Sequence, residues 1–390
     1  MELPKITRAF LNVTDECNLR CTYCFVNKMP NYIDFQTAKD AVDFLANNAV
    51  GSKTAPNINF FGGEPMLMWD SIIEPLVLYA KEKYKNFGFS ITTNGTLLNE
   101  ERIKFMREHN FGLLLSIDGD ECTQNINRPY RNGKGSFAAI QKNIPFILEH
   151  FPQCTFRSTV TPASVDMLFD DMMFAASSGF KNYFVIPNSF EYWSEDDLVK
   201  LTNAMNAYTD YYIDEFRKGN KPMFFNQMER SFNQILLRNK SIDINAMRSH
   251  NKCKACGKCG LGAGSSASIG FNGMMYACQE LCTNDGEKSP FYIGDIYSGV
   301  IDERRQSLMD LWDSKQAYSD DCASCVLNRI CDGGCVANNY LHSGDMHYLQ
   351  PIYCFWSRLL FDSAVKVMTT LGEEANVGFI ERWKGIVGRK

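Results

Sequence analysis

Cys17, Cys21 and Cys24 form a C-x3-C-x2-C run in Cys17-Asn18-Leu19-Arg20-Cys21-Thr22-Tyr23-Cys24, directly after the apolar segment Ile6 to Val13. Three thiolates this close can hold three irons of a cubane cluster and leave the fourth iron to an exogenous ligand, whereas electron carriers normally use four cysteines. An open metal position is a reactive one, by the logic that separates catalytic from structural zinc. Free cysteine also packs as a small apolar residue, but three within eight residues of a loop favour ligation. Ten of the fifteen cysteines lie beyond residue 241. They include Cys322-x2-Cys325-x5-Cys331-x3-Cys335 and Cys354, with Cys253-x5-Cys259 and Gly273-x4-Cys278 upstream. Paired C-x2-C spacing also suits a zinc ribbon of four thiolates. Only five histidines are present against fifteen cysteines. Thiolate is left to coordinate, which favours iron-sulfur clusters.

The elements that must position these groups alternate between strand and helix. Ile6 to Val13 is a short apolar run, and Asn57 to Phe61, Phe87 to Thr92, Phe111 to Ser116, Thr155 to Val160 and Asn182 to Ile186 have the length and residue types of strands. Between them, Asp34 to Asn48, Ser71 to Tyr84, Glu100 to His109, Ser136 to Glu149 and Asp166 to Ser177 carry apolar residues at helical spacing. Six strands with crossover helices predict an α/β parallel sheet, either doubly wound or closed into a full or partial barrel. In each of these, ligands gather at the carboxyl ends of the strands. From Ser194 to Asn239 the pattern is helical and charged, and the composition then shifts to Cys, Gly and Ser in Cys253 to Ser268, which marks a boundary near Ser241. Beyond it we expect a hairpin at Asn272-Gly273, a short helix near Gln306 to Asp313 and a C-terminal helix from about Phe355 to Leu371.

With 390 residues, 45% of them apolar, the chain can bury a large core and divides into a larger and a smaller domain. A formal charge of -5 provides no basic footprint, so nucleic acid is not an expected partner. No apolar stretch approaches a membrane span, and Met1 to Arg8 does not open a signal peptide. The expectation is a cytoplasmic protein, in a compartment where disulfides rarely persist, which again turns fifteen cysteines toward ligation.

The three-cysteine loop, with Tyr23 before its last cysteine, resembles the signature of the radical S-adenosylmethionine (radical SAM) superfamily. Phe61-Gly62-Gly63-Glu64-Pro65 after the second strand resembles its GGEP motif, which contacts the methionyl amine of S-adenosylmethionine (AdoMet); glycines there let backbone approach the ligand. Thr93-Asn94 after the third strand and Ser116 with Asp118 after the fourth resemble its ribose-side and methionyl-side contacts, although Asn94-Gly95 and Asp118-Gly119 are also ordinary turn dipeptides. Arg128 is the candidate for the cofactor's carboxylate, for which a guanidinium fork is suited. The C-terminal cysteines resemble the SPASM extension. That resemblance implies two auxiliary [4Fe-4S] clusters with interleaved ligands, one on Cys253, Cys259, Cys278 and Cys335 and the other on Cys322, Cys325, Cys331 and Cys354. Cys256 and Cys282 are left over, and Cys122 and Cys154 are assigned to core packing.

The resemblance therefore implies a partial (β/α)6 barrel followed by a small cysteine-rich domain. The expected division is a core over 1–220, a helical bridge over 221–250, a SPASM domain over 251–371 and a tail over 372–390. It also implies reductive cleavage of AdoMet to a 5'-deoxyadenosyl radical, a peptide or protein substrate, and an external electron donor such as flavodoxin or ferredoxin. Among SPASM-bearing relatives we favour a peptide maturase that forms a cross-link. The rival is an anaerobic sulfatase maturase, which carries an acidic residue directly after the cysteine matching Cys278; here Gln279 stands there, an amide that cannot take a proton. Glu280 is a weak candidate for that base. Only sixteen residues precede Cys17, so leader recognition is expected elsewhere or on another protein. A non-enzymatic iron-sulfur or zinc scaffold is the alternative of another class. Gly51-Ser52-Lys53-Thr54, Gly260-x-Gly262-x-Gly264 and the aromatic run Phe190, Tyr192, Trp193 are read as turns and core, outside the site.

Overall fold

The computed structural model describes residues 3–239, 261, 264–313, 322, 324–327, 331 and 333–387. Its first six strands, β1 (Arg8–Thr14), β2 (Asn57–Gly62), β3 (Gly88–Thr93), β4 (Gly112–Ser116), β5 (Thr155–Val160) and β6 (Asn182–Pro187), lie side by side in chain order and all pair in parallel. The sheet stays open. β7 (Phe224–Phe225) extends it beyond β6, and β8 (Ser266–Ile269) pairs in parallel with β1 at the other side. From there β9 (Met274–Tyr276), β10 (Tyr292–Asp295) and β11 (Gly299–Val300) continue antiparallel. The expected boundary near Ser241 lies outside the described residues, yet the sheet runs across it. The hairpin at Asn272-Gly273 is the β8–β9 turn, with Gly273 at φ 80°, a left-handed conformation that favours glycine.

Between the parallel strands run α1 (Phe35–Ala49), α2 (Glu74–Lys83), α3 (Glu100–Glu108), α4 (Glu121–Asn127), α5 (Phe137–Gln141), α6 (Ile144–His150) and α7 (Leu168–Ser177). The helix expected over Ser136 to Glu149 is two helices. Pro145 sits in the first turn of α6, where its missing N–H and its ring prevent one continuous helix. Helix α4 was not expected; Asp120 caps it by accepting from the backbone N–H of Cys122 and Thr123.

Strand alternation decides where the core lies. Ile58, Phe60, Phe89, Ile91, Phe156, Tyr183 and Val185 point under the helices and are buried, and Phe60, Phe89 and Phe111 stack there at 5.4–6.1 Å between centroids. The other face carries half-buried polar side chains. Thr92 donates to Asn59 Oδ1 at 3.4 Å and Ser90 to Asn57 Oδ1 at 3.3 Å, and Ser116 pairs in register with Arg157. This open, polar face is available to a ligand; the face under the helices is not.

After β6 come α8 (Glu195–Arg217), opened by a Ser194–Asp197 capping box, and α9 (Asn226–Asn239). The C-terminal part adds α10 (Asp302–Asp313), α11 (Val336–Ser343), α12 (Pro351–Glu373), which packs along α8 and α9, and α13 (Val377–Val387). Residues 372–390 were expected as a tail, but α13 is docked: Phe379 packs edge-on against Phe216 and Phe232. Arg382 is paired with the fully buried Glu229 carboxylate, donates to Pro222 O at 2.8 Å and lies over the Tyr212, Phe216 and Phe224 rings. Among the described residues no helix is long and apolar enough to cross a membrane. Arg382→Met should strand a buried carboxylate and cost about 3–5 kcal/mol, read as a lowered denaturation midpoint; Glu229→Gln in the same background should recover part of that loss.

Candidate functional site

β1 ends at Thr14, and the cysteine loop follows at its carboxyl end. One neighbouring segment, Asn127 to Arg131, holds its backbone: Arg20 N donates to Pro129 O at 2.7 Å, Thr22 N to Asn127 O at 3.0 Å, and Arg131 N to Asn18 O at 3.2 Å. Cys17, Cys21 and Cys24 are all partly buried. Cys17 Sγ faces two donors, the backbone N–H of Leu19 at 3.4 Å and Asn94 Nδ2 at 3.8 Å. Burial, then the nearby Glu64 charge, pushes the Cys17 thiol up to about 12, and burial raises Cys21 against the pull of Arg128. Thiols in such a setting become thiolates readily only beside a compensating cation, which irons supply, and N–H donors aimed at sulfur are among the contacts that tune such clusters. The donor set fits an iron-sulfur group. Among the described residues no three His, Cys, Asp or Glu side chains converge as a single metal ion requires.

The double glycine makes room for neighbouring backbone. A Cβ at Gly62, whose φ is 127°, would lie 2.1 Å from Thr14 O, and one at Gly63 would lie 2.2 Å from Glu16 O. The space these glycines leave is filled by the backbone leading into the cysteine loop. Gly63 N donates to Thr14 O at 2.7 Å and Glu64 N to Glu16 O at 2.8 Å. Glu64 is 1% exposed, and its carboxyl accepts from Met66 N (3.0 Å), Thr93 Oγ1 (2.7 Å) and Asn94 N (2.8 Å), so it ties the end of β2 to the end of β3. Burial outweighs those three donors and lifts this carboxyl to about 7. Pro65 opens the short turn that follows. Asn94 completes the brace, donating to Asn18 Oδ1 at 2.9 Å and accepting from Thr96 N and Oγ1.

Asp118 organises the other side. Its Oδ2 accepts from Tyr23 OH at 2.5 Å, and its Oδ1 faces Arg128 Nη2 at 3.0 Å and accepts from Thr159 N at 2.9 Å. Arg128 also lies over the Tyr23 ring, 5.4 Å from its centroid. Burial opposes the charge of Arg128, but Asp118 overrides it and holds the guanidinium firmly protonated; burial keeps the Tyr23 phenol neutral. Arg128 is 5% exposed and its buried Nε has no partner. Sequence reasoning missed two residues here. Gln124 on α4 accepts from Asp118 N at 2.9 Å and donates to Ser136 Oγ, which in turn donates to Arg128 O. Arg157, beside Ser116 in register, donates to Thr159 Oγ1 at 2.8 Å; burial and then the like charge of Arg128 lower its pKa. The one charged residue in a strand of six was the available signal for Arg157.

In the C-terminal part, Cys278 precedes a short turn, Gln279–Leu281, that carries Glu280. Cys335 Sγ donates to Glu280 Oε2 at 3.9 Å, which brings Cys335 to the Cys278 side. Burial raises the Glu280 carboxyl, while Arg157 and Cys335 lower it. Glu280 is thus within electrostatic reach of Arg157. Cys322, Cys325, Cys331 and Cys354 gather separately: burial and then the charges of Cys331 and Cys322, with Cys325 further off, raise the Cys354 thiol. Leu327 N faces Cys325 Sγ and Gly333 N faces Cys331 Sγ, each at 3.4 Å. Cys253, Cys256 and Cys259 lie outside the described residues. Cys282 is a buried thiol pushed up to about 12. Cys154 is buried as expected, but Cys122 is exposed on the first turn of α4, a correction that follows from that unexpected helix. Of the aromatic run, Trp193 is buried, whereas Phe190 and Tyr192 are exposed.

Residues 11–175 match the radical SAM superfamily. An uncharacterized protein of Methanocaldococcus jannaschii is 40% identical over 147 residues, 35% of this chain, which spans about half of that relative (49%). Two longer matches are 23% identical. The radical SAM cyclopropyl synthase TigE of Paramaledivibacter caminithermalis covers 90% of this chain and 72% of its own length. A cysteine-type anaerobic sulfatase-maturating enzyme of Clostridium perfringens covers 85% and 89%. Among solved structures, native anSMEcpe with AdoMet and the Cp18Cys peptide bound superposes with a TM-score of 0.71 at 20% identity, covering 94% of this chain and 99% of that one. SuiB of Streptococcus suis bound to precursor peptide SuiA superposes with a TM-score of 0.61 at 18% identity, covering 90% and 76%. Both likenesses describe the fold.

Gly63→Ala should drive a methyl group into the carbonyls of Asp15 and Glu16. Iron bound after anaerobic reconstitution should fall, with the N-terminal site the first to lose its absorbance; unchanged iron content would contradict the role given to this backbone contact.

Proposed function

We propose, from the radical SAM domain over residues 11–175 that makes this chain a radical SAM superfamily enzyme, that it is a peptide maturase: it abstracts hydrogen from a ribosomally made peptide and closes a cross-link, a thioether between a cysteine sulfur and a carbon of another residue. The observation that carries the reading is the three-cysteine loop braced at the carboxyl ends of β1, β2 and β3, with the Tyr23–Asp118–Arg128 cluster beside it. Cys17, Cys21 and Cys24 would hold a [4Fe-4S] cluster through three thiolates. When bound there with AdoMet, that cluster supplies reductive cleavage to methionine and a 5'-deoxyadenosyl radical.

The chain's own residues bind, orient and shield. Gly62, Gly63, Glu64, Pro65, Thr93 and Asn94 form the wall beside the cysteine loop, and Ser116, Asp118, Tyr23 and Arg128 form the opposite one. The unpartnered Nε of Arg128 supports its role toward the methionyl carboxylate, because an unsatisfied buried donor is costly and a carboxylate would satisfy it. We assign two auxiliary clusters, one to Cys253, Cys259, Cys278 and Cys335 and one to Cys322, Cys325, Cys331 and Cys354, with a flavodoxin or ferredoxin as the external donor of electrons. We divide the chain into a core (1–220), bridge (221–250) and SPASM domain (251–371), with the last segment (372–390) docked on the core through α13. The open polar face of the sheet, reached by Glu280 from the cysteine-rich side, is where a peptide would enter, and Glu280 is the candidate proton acceptor.

A second reading, formylglycine formation on a sulfatase, is supported by the similarity to sulfatase-maturating enzymes over most of both chains. Gln279, which follows Cys278, weakens it, since an amide cannot take a proton there.

With dithionite and AdoMet, the reconstituted protein should form 5'-deoxyadenosine and Cys17→Ala should form none; undiminished product from that variant rejects the enzyme reading. Cys331→Ala/Cys354→Ala should lose about a third of the bound iron. Co-expression with small peptides encoded beside the gene should yield a peptide lighter by two hydrogens per cross-link, whereas formylglycine in a sulfatase-type peptide would support the second reading.

A further inference from the structure

Asp171, in the first turn of α7, has no part in the contacts described so far. It is 2% exposed, accepts from Asp120 N at 3.0 Å through Oδ1 and from Thr123 Oγ1 at 2.8 Å through Oδ2. A Cβ on Gly119 would lie only 1.8 Å from Asp171 Oδ1. Gly119 is therefore required by space, because a carboxyl from another helix is pressed against the backbone between Asp118 and Asp120. The setting is a costly one for an acid. Burial lifts the carboxyl to about 8, and the charges it feels, Asp120 and Asp118, have its own sign. In exchange it fixes two points that follow Asp118 in the chain: the Asp120 N–H and the first turn of α4, which also carries Gln124 under the Asp118 N–H.

We propose that Asp171 is a positioning residue of the cofactor site. It clamps the Gly119–Asp120 backbone to the start of α4, so that the Asp118 carboxylate meets Tyr23, Arg128 and Thr159 together. This rests on the reading that the Asp118 cluster contacts AdoMet. A carboxyl that merely filled core volume would be replaceable by any side chain that preserved stability. A positioning carboxyl is replaceable only by a group that accepts from the same N–H.

The test uses the full-length reconstituted protein and dithionite-driven AdoMet cleavage, followed as 5'-deoxyadenosine. Asp171→Ala should raise the KM for AdoMet by about tenfold, the scale of one lost buried hydrogen bond, with kcat at saturation within about twofold. Asp171→Asn keeps an oxygen for Asp120 N–H and an amide for Thr123 Oγ1, and should restore KM to within about threefold. Gly119→Ala should raise KM as Asp171→Ala does. The double variant Gly119→Ala/Asp171→Ala should be no worse than either single one, because the carboxyl that the methyl would strike is gone. Wild-type KM in Asp171→Ala, KM and kcat falling together with thermal stability, or strictly additive effects in the double variant would each overturn the proposal. If Asp171→Ala does not fold, Gly119→Ala against Asp171→Asn decides, and a wild-type KM in Gly119→Ala overturns it. A wild-type protein that cleaves no AdoMet would instead overturn the reading on which the proposal rests.

Discussion

Backbone lying directly against backbone, Gly62-Gly63 on Thr14–Glu16, is the contact from which the site is built. Any Cβ in either glycine position would force the two strand ends apart. With both absent, β2 seals the exit of β1 by hydrogen bonds from Gly63 and Glu64, and the three cysteines emerge from a loop whose first residues are immobilised. Glu64 extends the same constraint to β3, since one buried carboxyl satisfies the N–H groups of Met66 and Asn94 and the hydroxyl of Thr93. Leaving such groups unpaired away from water is expensive, so three strand ends behave as one unit.

The opposite wall depends on a single carboxylate. Asp118 serves a phenol, a guanidinium and a backbone N–H, and it is held from behind by Gln124 and, through Gly119 and Asp120, by Asp171. Its charge offsets that of Arg128, and Arg157 adds a second guanidinium at the edge of the open face. The nearest acid from the cysteine-rich side, Glu280, faces that second cation. Two guanidiniums and two carboxyls thus meet where the parallel sheet opens.

The C-terminal part is joined to the core by more than its helices. β8 pairs with β1, the strand that leads into the first cysteine loop, and β9 to β11 extend the same sheet. The turn that carries Glu280 follows β9 of this extension. The last helix then returns to the far side of the core, where Arg382 neutralises the buried Glu229. Strands from both cysteine-bearing parts thus belong to one sheet.

Much of this was legible in the amino-acid sequence. Strand and helix positions follow from apolar periodicity, because burial of one face is a local pattern, and the six parallel strands lie within a residue or two of where that pattern puts them. The cysteine spacings and the glycine and aspartate turns at strand ends were equally visible, since their chemistry is carried by neighbours in the chain. Local signals failed where a local rule was broken by one residue, as Pro145 splits a helix and Asp120 starts one that places Cys122 in solvent. What the sequence could not disclose is who meets whom between distant segments: that Gly62 makes room for Thr14, that Asp171 sits beneath Gly119, that Arg157 stands beside Ser116 and interacts with Glu280. Residue type and spacing determined which reactions are possible here. Sheet register and burial decided which side chains share a wall, because those depend on contacts between distant segments that no window of sequence contains.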